Sequence, residues 1–154
     1  CIQQFFFTAE IKSVKPQQEG KDQLITLESI QKDWKETEAI IIRTLPNDNE
    51  KLHRQYSNSN PPYLQKEAAQ FLKEQGVKHL LIDLPSVDKE VDGGVLSAHH
   101  AFWNHPEKTR LDCSITELIY VPNYVADGSY LLNLSFAPFD NDASPSRPTL
   151  YKIY

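Results

Sequence analysis

Long apolar runs, basic patches and a cysteine framework are all missing from this sequence, and each absence excludes something. No apolar run approaches the roughly 18 residues of a membrane span, so no spanning helix is expected. Lysine and arginine total 16 against 21 Asp and Glu, a net charge of −5. No lysine- or arginine-rich stripe is present, which argues against a nucleic-acid surface. Only Cys1 and Cys113 are available for pairing. Two isolated cysteines do not make a disulfide framework and can pair only if the fold brings them together, so the expected setting is reducing and cytoplasmic. Familiar catalytic patterns are also absent: no Gly-x-Ser-x-Gly elbow, no phosphate-binding glycine loop, no His-Glu-x-x-His and no Cys-x-x-Cys. Cys113 as a nucleophile finds no local support.

What is present suits one globular domain over residues 1–154. Hydrophobic residues make up 40% of the chain, and seven Phe, seven Tyr and two Trp supply the bulk of a core. The chain opens on Cys1 instead of Met and runs directly into Gln4-Phe5-Phe6-Phe7-Thr8-Ala9-Glu10-Ile11. This reads as a piece that has lost an upstream segment, in preference to a lipidated cysteine, which would be followed by a polar tether.

Apolar patterning predicts a strand over 4–14, then a polar connection from Lys15 to Gln23. Thr26 is placed to cap a short helix through Trp34, with Leu27, Ile30 and Trp34 on one face. Ala39-Ile40-Ile41-Ile42 suits a strand buried on both faces. Residues 45–62 are polar, with four Asn and three Pro. A loop of that length is expected to be mobile or to border a substrate mouth. Leu64 to Gln75 reads as an amphipathic helix with Ala68, Phe71 and Leu72 inward, ended by Gly76 at its C′ position. His79 to Leu84 is a second buried strand, and Ser97 to Trp103 a short helix. Strands are expected at 113–121, 129–137 and 149–154, with Asp127-Gly128 as a hairpin turn between the first two. The first part is α/β in character and the tail resembles a β meander.

Chemistry concentrates between Asp83 and Glu117. Asp83 and Asp88 follow a buried strand, where open α/β sheets place ligands. Either can instead serve the backbone, Asp83 by accepting turn amides and Asp88 by capping the next segment. His99 and His100 are adjacent on a helix, hence about 100° apart, so at most one faces a given metal; the alternative is one buried and one solvated imidazole. Glu117 is a lone carboxylate in an apolar strand. It needs a cation or hydrogen-bond donors there, and a metal or a salt bridge would satisfy it.

These segments, in this order, resemble the cyclase family of metal-dependent hydrolases, which includes the bacterial kynurenine formamidases. The resemblance rests on Asp83-Leu84-Pro85-Ser86-Val87-Asp88, Ala98-His99-His100 and Ile115-Thr116-Glu117-Leu118, with Ile42-Arg43-Thr44 and the 64–76 helix before them. It implies the C-terminal part of a swivelling β/β/α fold, incomplete at the N-terminus. By resemblance, His99 and Glu117 ligate a divalent metal, zinc or manganese, while His100, Asp83, Ser86 and Asp88 form the surrounding shell or pocket. Metal-assisted hydrolysis of an amide or ester in a small molecule follows, as in tryptophan catabolism, with a homodimer as the expected assembly. Two departures stand out. Residues 104–110 look like an insertion between His99 and Glu117. The family's upstream His-Gly-Thr-His-x-Asp run, with its further ligands and general base, has no counterpart in residues 1–80. A domain that keeps the fold without a complete metal site is the alternative reading.

Overall fold

The computed structural model describes residues 3–139, 141 and 143–153. Cys1, and with it any pairing to Cys113, lies outside them. Six strands form the main sheet: β1 (Phe6–Val14), β4 (Ala39–Thr44), β6 (His79–Ile82), β7 (Ser114–Thr116), β8 (Gly128–Phe136) and β9 (Ser146–Lys152), in the order β7-β6-β4-β1-β8-β9. β7, β6, β4 and β1 run parallel, while β8 and β9 join antiparallel. The architecture is mixed α/β. Parallel neighbours need crossovers, and helices supply them: α1 (Leu27–Gln31) precedes β4, α2 (Lys66–Glu74) precedes β6, and α3 (Ser97–Trp103) precedes β7.

β4 is central and all six of its residues are buried, as a continuous apolar run predicts. Alternation splits that run between two cores. Ile40 and Ile42 join Val14, Leu80 and Ile82 beneath Ile30 of α1, Ala68 and Leu72 of α2, and Ala98 and Phe102 of α3. Ile41 faces the other way, with Phe7, Ala9, Ile11, Leu81, Val121, Tyr130, Leu132 and Leu134.

Several elements differ from the sequence expectation, each for a physical reason. The 15–23 connection contains a hairpin, β2 (Gln17–Glu19) with β3 (Asp22–Ile25), turning at Gly20 with φ +59°. All three β2 residues are exposed, so no apolar alternation marks the strand. β3 continues parallel to β5 (Tyr63–Leu64), which takes Leu64 out of the predicted helix. Thr26 caps α1 by accepting from the Ser29 amide at 3.3 Å, but the helix stops at Gln31, shortly before Asp33 at φ +52°. The 113–121 strand shrinks to three residues because Leu118, at φ +56°, turns the chain just after Glu117. Asp127-Gly128 is no hairpin turn, since β7 and β8 lie far apart in the sheet. Asp127 instead accepts from the Ser13 amide and hydroxyl, both at 2.8 Å, and from the buried Arg43 guanidinium at 2.6 Å.

The 45–62 loop is tied down at several points. Lys51 is buried and gives its ammonium to the Thr44 carbonyl, the Thr44 hydroxyl and Asp83. Asn47 donates to the Val121 carbonyl and the Asn123 side chain, and the Asn60 amide donates to Glu90 at 2.9 Å. Polar composition here serves internal bonding across the sheet edge. Among the described residues no helix is long and apolar enough to cross a membrane.

Candidate metal centre

Because β6 and β7 are parallel, the chain leaves both at the same sheet edge, the carboxyl edge where α/β sheets place ligands. Residues 83–96 leave β6 there, and Glu117 follows the last residue of β7. The turn after Glu117 is fixed by two amides, Leu118 to the Leu84 carbonyl at 2.9 Å and Ile119 to the Ile82 carbonyl at 3.2 Å. The Val87 amide donates to Glu117 Oε1 at 2.9 Å.

α3 starts without a capping side chain of its own, because Leu96 occupies the cap position in a left-handed conformation, φ +48°. Asp88 supplies the cap from the preceding loop. Its carboxylate accepts from the Ala98 amide at 2.6 Å and the His99 amide at 3.2 Å, with the Ser97 hydroxyl at 3.3 Å. The same carboxylate lies 2.7 Å from His99 Nδ1. Asp88 therefore does two things at once: it satisfies the open amides of the helix and it fixes the imidazole tautomer. Burial alone would raise its acid dissociation constant's pKa, but the bonds from the His99 ring and from the Ala98 and His99 amides outweigh that and hold the carboxyl below its usual range.

With Nδ1 committed to Asp88, His99 turns Nε2 toward Glu117 Oε1, 3.5 Å away. Burial pushes the Glu117 carboxyl up; the Val87 amide, His99 and the Ser86 hydroxyl act against that, and Asp88 adds to it. Ser86 in turn accepts from the Asp88 amide at 3.0 Å. Asp88, His99, Glu117 and Ser86 thus form one connected group. Trp103, one turn further along α3, packs its ring 5.2 Å from the His99 ring. A cleft of about 550 Å³ opens beside them, lined by His99, Trp103, Glu117, Leu134, Phe136 and Ser146 among others. No residue of the 45–62 loop lines it.

Two of the sequence candidates are placed elsewhere. Asp83 is fully enclosed by the Thr44 amide, the Thr44 hydroxyl and Lys51 at 2.8 Å, so it joins strand ends and the 45–62 loop. His100 is not brought to the His99 cleft. One step along the helix turns it toward His105, on the side facing α2. Sequence reasoning gave Lys51 and Trp103 no role: a lysine in a polar loop and an aromatic on an amphipathic helix carry no signal until packing places them. Cys113 lines the His99 cleft, but burial pushes its thiol up to about 11, which keeps it a protonated, unreactive group.

A metal fits this arrangement in part. A histidine whose Nδ1–H is held by a carboxylate, with Nε2 directed at a second carboxylate, is the donor chemistry of a divalent site. Among the described residues, no group of three or more His, Cys, Asp or Glu side chains is arranged to hold a metal; His99 and Glu117 face each other as a pair.

Comparison with known proteins gives a consistent picture. The family model described as "Putative cyclase" matches residues 1–89. Kynurenine formamidases of Bacillus cereus and Bacillus anthracis are each 38% identical over 93 residues, which is 60% of this chain and 41% of theirs. The chain thus spans less than half the length of these relatives. The family match ends at residue 89, before His99 and Glu117. Two solved structures share the fold over nearly the whole chain, at 16% identity. One, of a potential metal-dependent hydrolase with cyclase activity, superimposes with a TM-score of 0.69 over 95% of this chain and 65% of its own. The other, a predicted metal-dependent hydrolase from Bacillus stearothermophilus, gives 0.67 over 94% and 62%.

Proposed function

This chain belongs to the cyclase family, and from that premise we propose that it carries part of the site of a metal-dependent hydrolase of the kynurenine formamidase type, cleaving an amide or ester bond in a small molecule. The observation that carries the reading is the Asp88–His99–Glu117 line, in which one carboxylate orients the imidazole and a second faces its free nitrogen.

His99 and Glu117 would hold the metal, zinc or manganese, with further donors from outside this pair, since a catalytic zinc site uses three protein ligands and a water. When bound, such a metal polarises a scissile carbonyl and activates water at neutral pH. The protein's own groups do the rest. Asp88 keeps the proton on His99 Nδ1 and so keeps Nε2 a donor of electrons. The Val87 amide and the Ser86 hydroxyl orient Glu117. Trp103 and Phe136 give the cleft apolar walls that suit a flat, partly apolar substrate.

Metal-supplemented chain, incubated with a kynurenine formamide, tests the reading by absorbance. Metal-dependent hydrolysis that is lost in His99→Ala and in Glu117→Gln is expected. Equal rates in all three proteins would overturn it. A second reading, a domain that keeps the fold without a complete metal site, is favoured by the two-donor count. It predicts that zinc and manganese stoichiometry is the same in wild type and in His99→Ala/Glu117→Gln. The homodimer suggested by family resemblance is checked by sedimentation in the same preparation.

A further inference from the structure

α3 ends at Asn104, whose left-handed conformation, φ +55°, curls the chain back on itself. The His105 amide then bonds to the His100 carbonyl at 3.0 Å. The turn brings the two side chains together, with ring centroids 4.9 Å apart and planes inclined at 49°. The segment that follows is anchored. The Lys108 amide donates to the Asn104 carbonyl at 3.1 Å, and Arg110 donates to the carbonyls of Phe102 at 2.9 Å and Val77 at 2.7 Å. The histidine pair therefore sits on a braced turn, where its spacing is held.

We propose that His100 and His105 form a second cation site, a two-imidazole chelate for a divalent transition metal of the copper, nickel or zinc class. Bonds from such metals to imidazole nitrogen are about 2.0–2.1 Å, which sets each ring centre roughly 3.2 Å from the ion. Two rings held at angles between square-planar and tetrahedral then have centroids about 4.5–5.2 Å apart. The observed 4.9 Å falls inside that window. Nitrogens are available as well. Among the described residues, His100 makes no hydrogen bond through its ring, and His105 engages only Nδ1, with Thr109 Oγ1 at 3.1 Å, which leaves Nε2. His105 is exposed and His100 half-buried, so an ion has access.

The cleft they share, about 410 Å³, is also lined by Lys66, Lys73 and Glu107. Two lysines would suit an anion, but Lys73 is engaged by Asn104 Oδ1 at 3.1 Å and Glu107 opposes negative charge. A centroid separation compatible with one shared ion favours a cation. Water is the available completing donor. The site is separate from His99 and Glu117, because successive helical residues point about 100° apart.

Copper(II) and zinc, titrated into the full chain against a chromophoric chelator, test the proposal in four proteins: wild type, His100→Ala, His105→Ala and His99→Ala/Glu117→Gln. One copper equivalent is expected to survive the double substitution and to weaken by at least about tenfold in His105→Ala. Electron paramagnetic resonance of the copper complex should show two coupled nitrogens in His99→Ala/Glu117→Gln and one when His105→Ala is added to it. His105 is exposed, so its removal leaves the fold intact and circular dichroism verifies that. Copper affinity unchanged in His105→Ala overturns the proposal. So does copper binding abolished by His99→Ala/Glu117→Gln alone, or binding of inorganic phosphate in place of copper. None of these results depends on hydrolase activity, so the two readings fail separately.

Discussion

Acidification should destabilise this protein through His79 as pH falls below about 6.5. His79 lies in β6 at 1% exposure. Its Nδ1 is 2.9 Å from Ser114 Oγ, its Nε2 is buried without a hydrogen-bond partner among the described residues, and its ring packs on Phe7 with centroids 4.0 Å apart. Burial, with Lys78 and Arg110 nearby, lowers its pKa from 6.5 to about 4, against the opposing pull of Glu38 and Asp112. The sign follows from which state binds the proton first. Between those two values the unfolded chain is protonated and the folded one is not, so stability is full above pH 6.5 and declines as pH falls toward 4. The drop from 6.5 to about 4 corresponds to about 3 kcal/mol in total, most of it lost by pH 4.5. The assay is urea denaturation of wild type and His79→Leu at pH 7.5, 5.5 and 4.5. The variant loses the Ser114 bond and gains apolar burial, so at pH 7.5 it should differ by no more than about 1.5 kcal/mol. By pH 4.5 the wild type should have lost about 2–3 kcal/mol more than the variant. Carboxylates titrate equally in both and cancel in the difference. Parallel curves for the two proteins would show that the buried imidazole is not the sensor.

Asp88→Asn should cost about 1–2 kcal/mol in urea titrations through the α3 cap, and should weaken metal binding at His99 about 10–100-fold; an effect on stability without one on affinity would separate the two roles assigned to this carboxylate. Glu117→Gln should leave the metal-free protein no less stable, because burial already disfavours its charge, whereas a clear loss in thermal denaturation would mean that the ionised carboxylate holds the turn. Lys51→Met should cost about 3–5 kcal/mol by stranding Asp83 without its cation, and Lys51→Met/Asp83→Asn should recover part of that; equal losses in the single and double variants would refute the pairing. Ile42→Ala, at the centre of the sheet, should cost about 2–5 kcal/mol, read by the same unfolding curves.

Sequence alone was enough for the features that local chemistry dictates. Ala39-Ile40-Ile41-Ile42 announces a doubly buried strand because no polar residue interrupts it, and Thr26 and Gly76 mark helix ends through their own backbone and hydroxyl preferences. The Pro85-Ser86-Val87-Asp88 and Ala98-His99-His100 steps resemble those of the cyclase family, and the first, just after a buried strand, points to the sheet edge. Tertiary structure decided what depends on partners distant in the chain. The β2–β3 hairpin escaped notice because exposed polar strands have no apolar period. Asp127-Gly128 read as a turn, yet its carboxylate bonds Ser13 and Arg43, more than 80 residues away. Asp88 could be read as a cap or as a partner of the imidazole; packing shows that one carboxylate does both. His99 and His100 are equal candidates as letters in a sequence. Only the direction of α3 over β6 and β7 separates them, turning one toward Glu117 and the other toward His105, because side-chain direction on a helix has meaning only once the helix is docked.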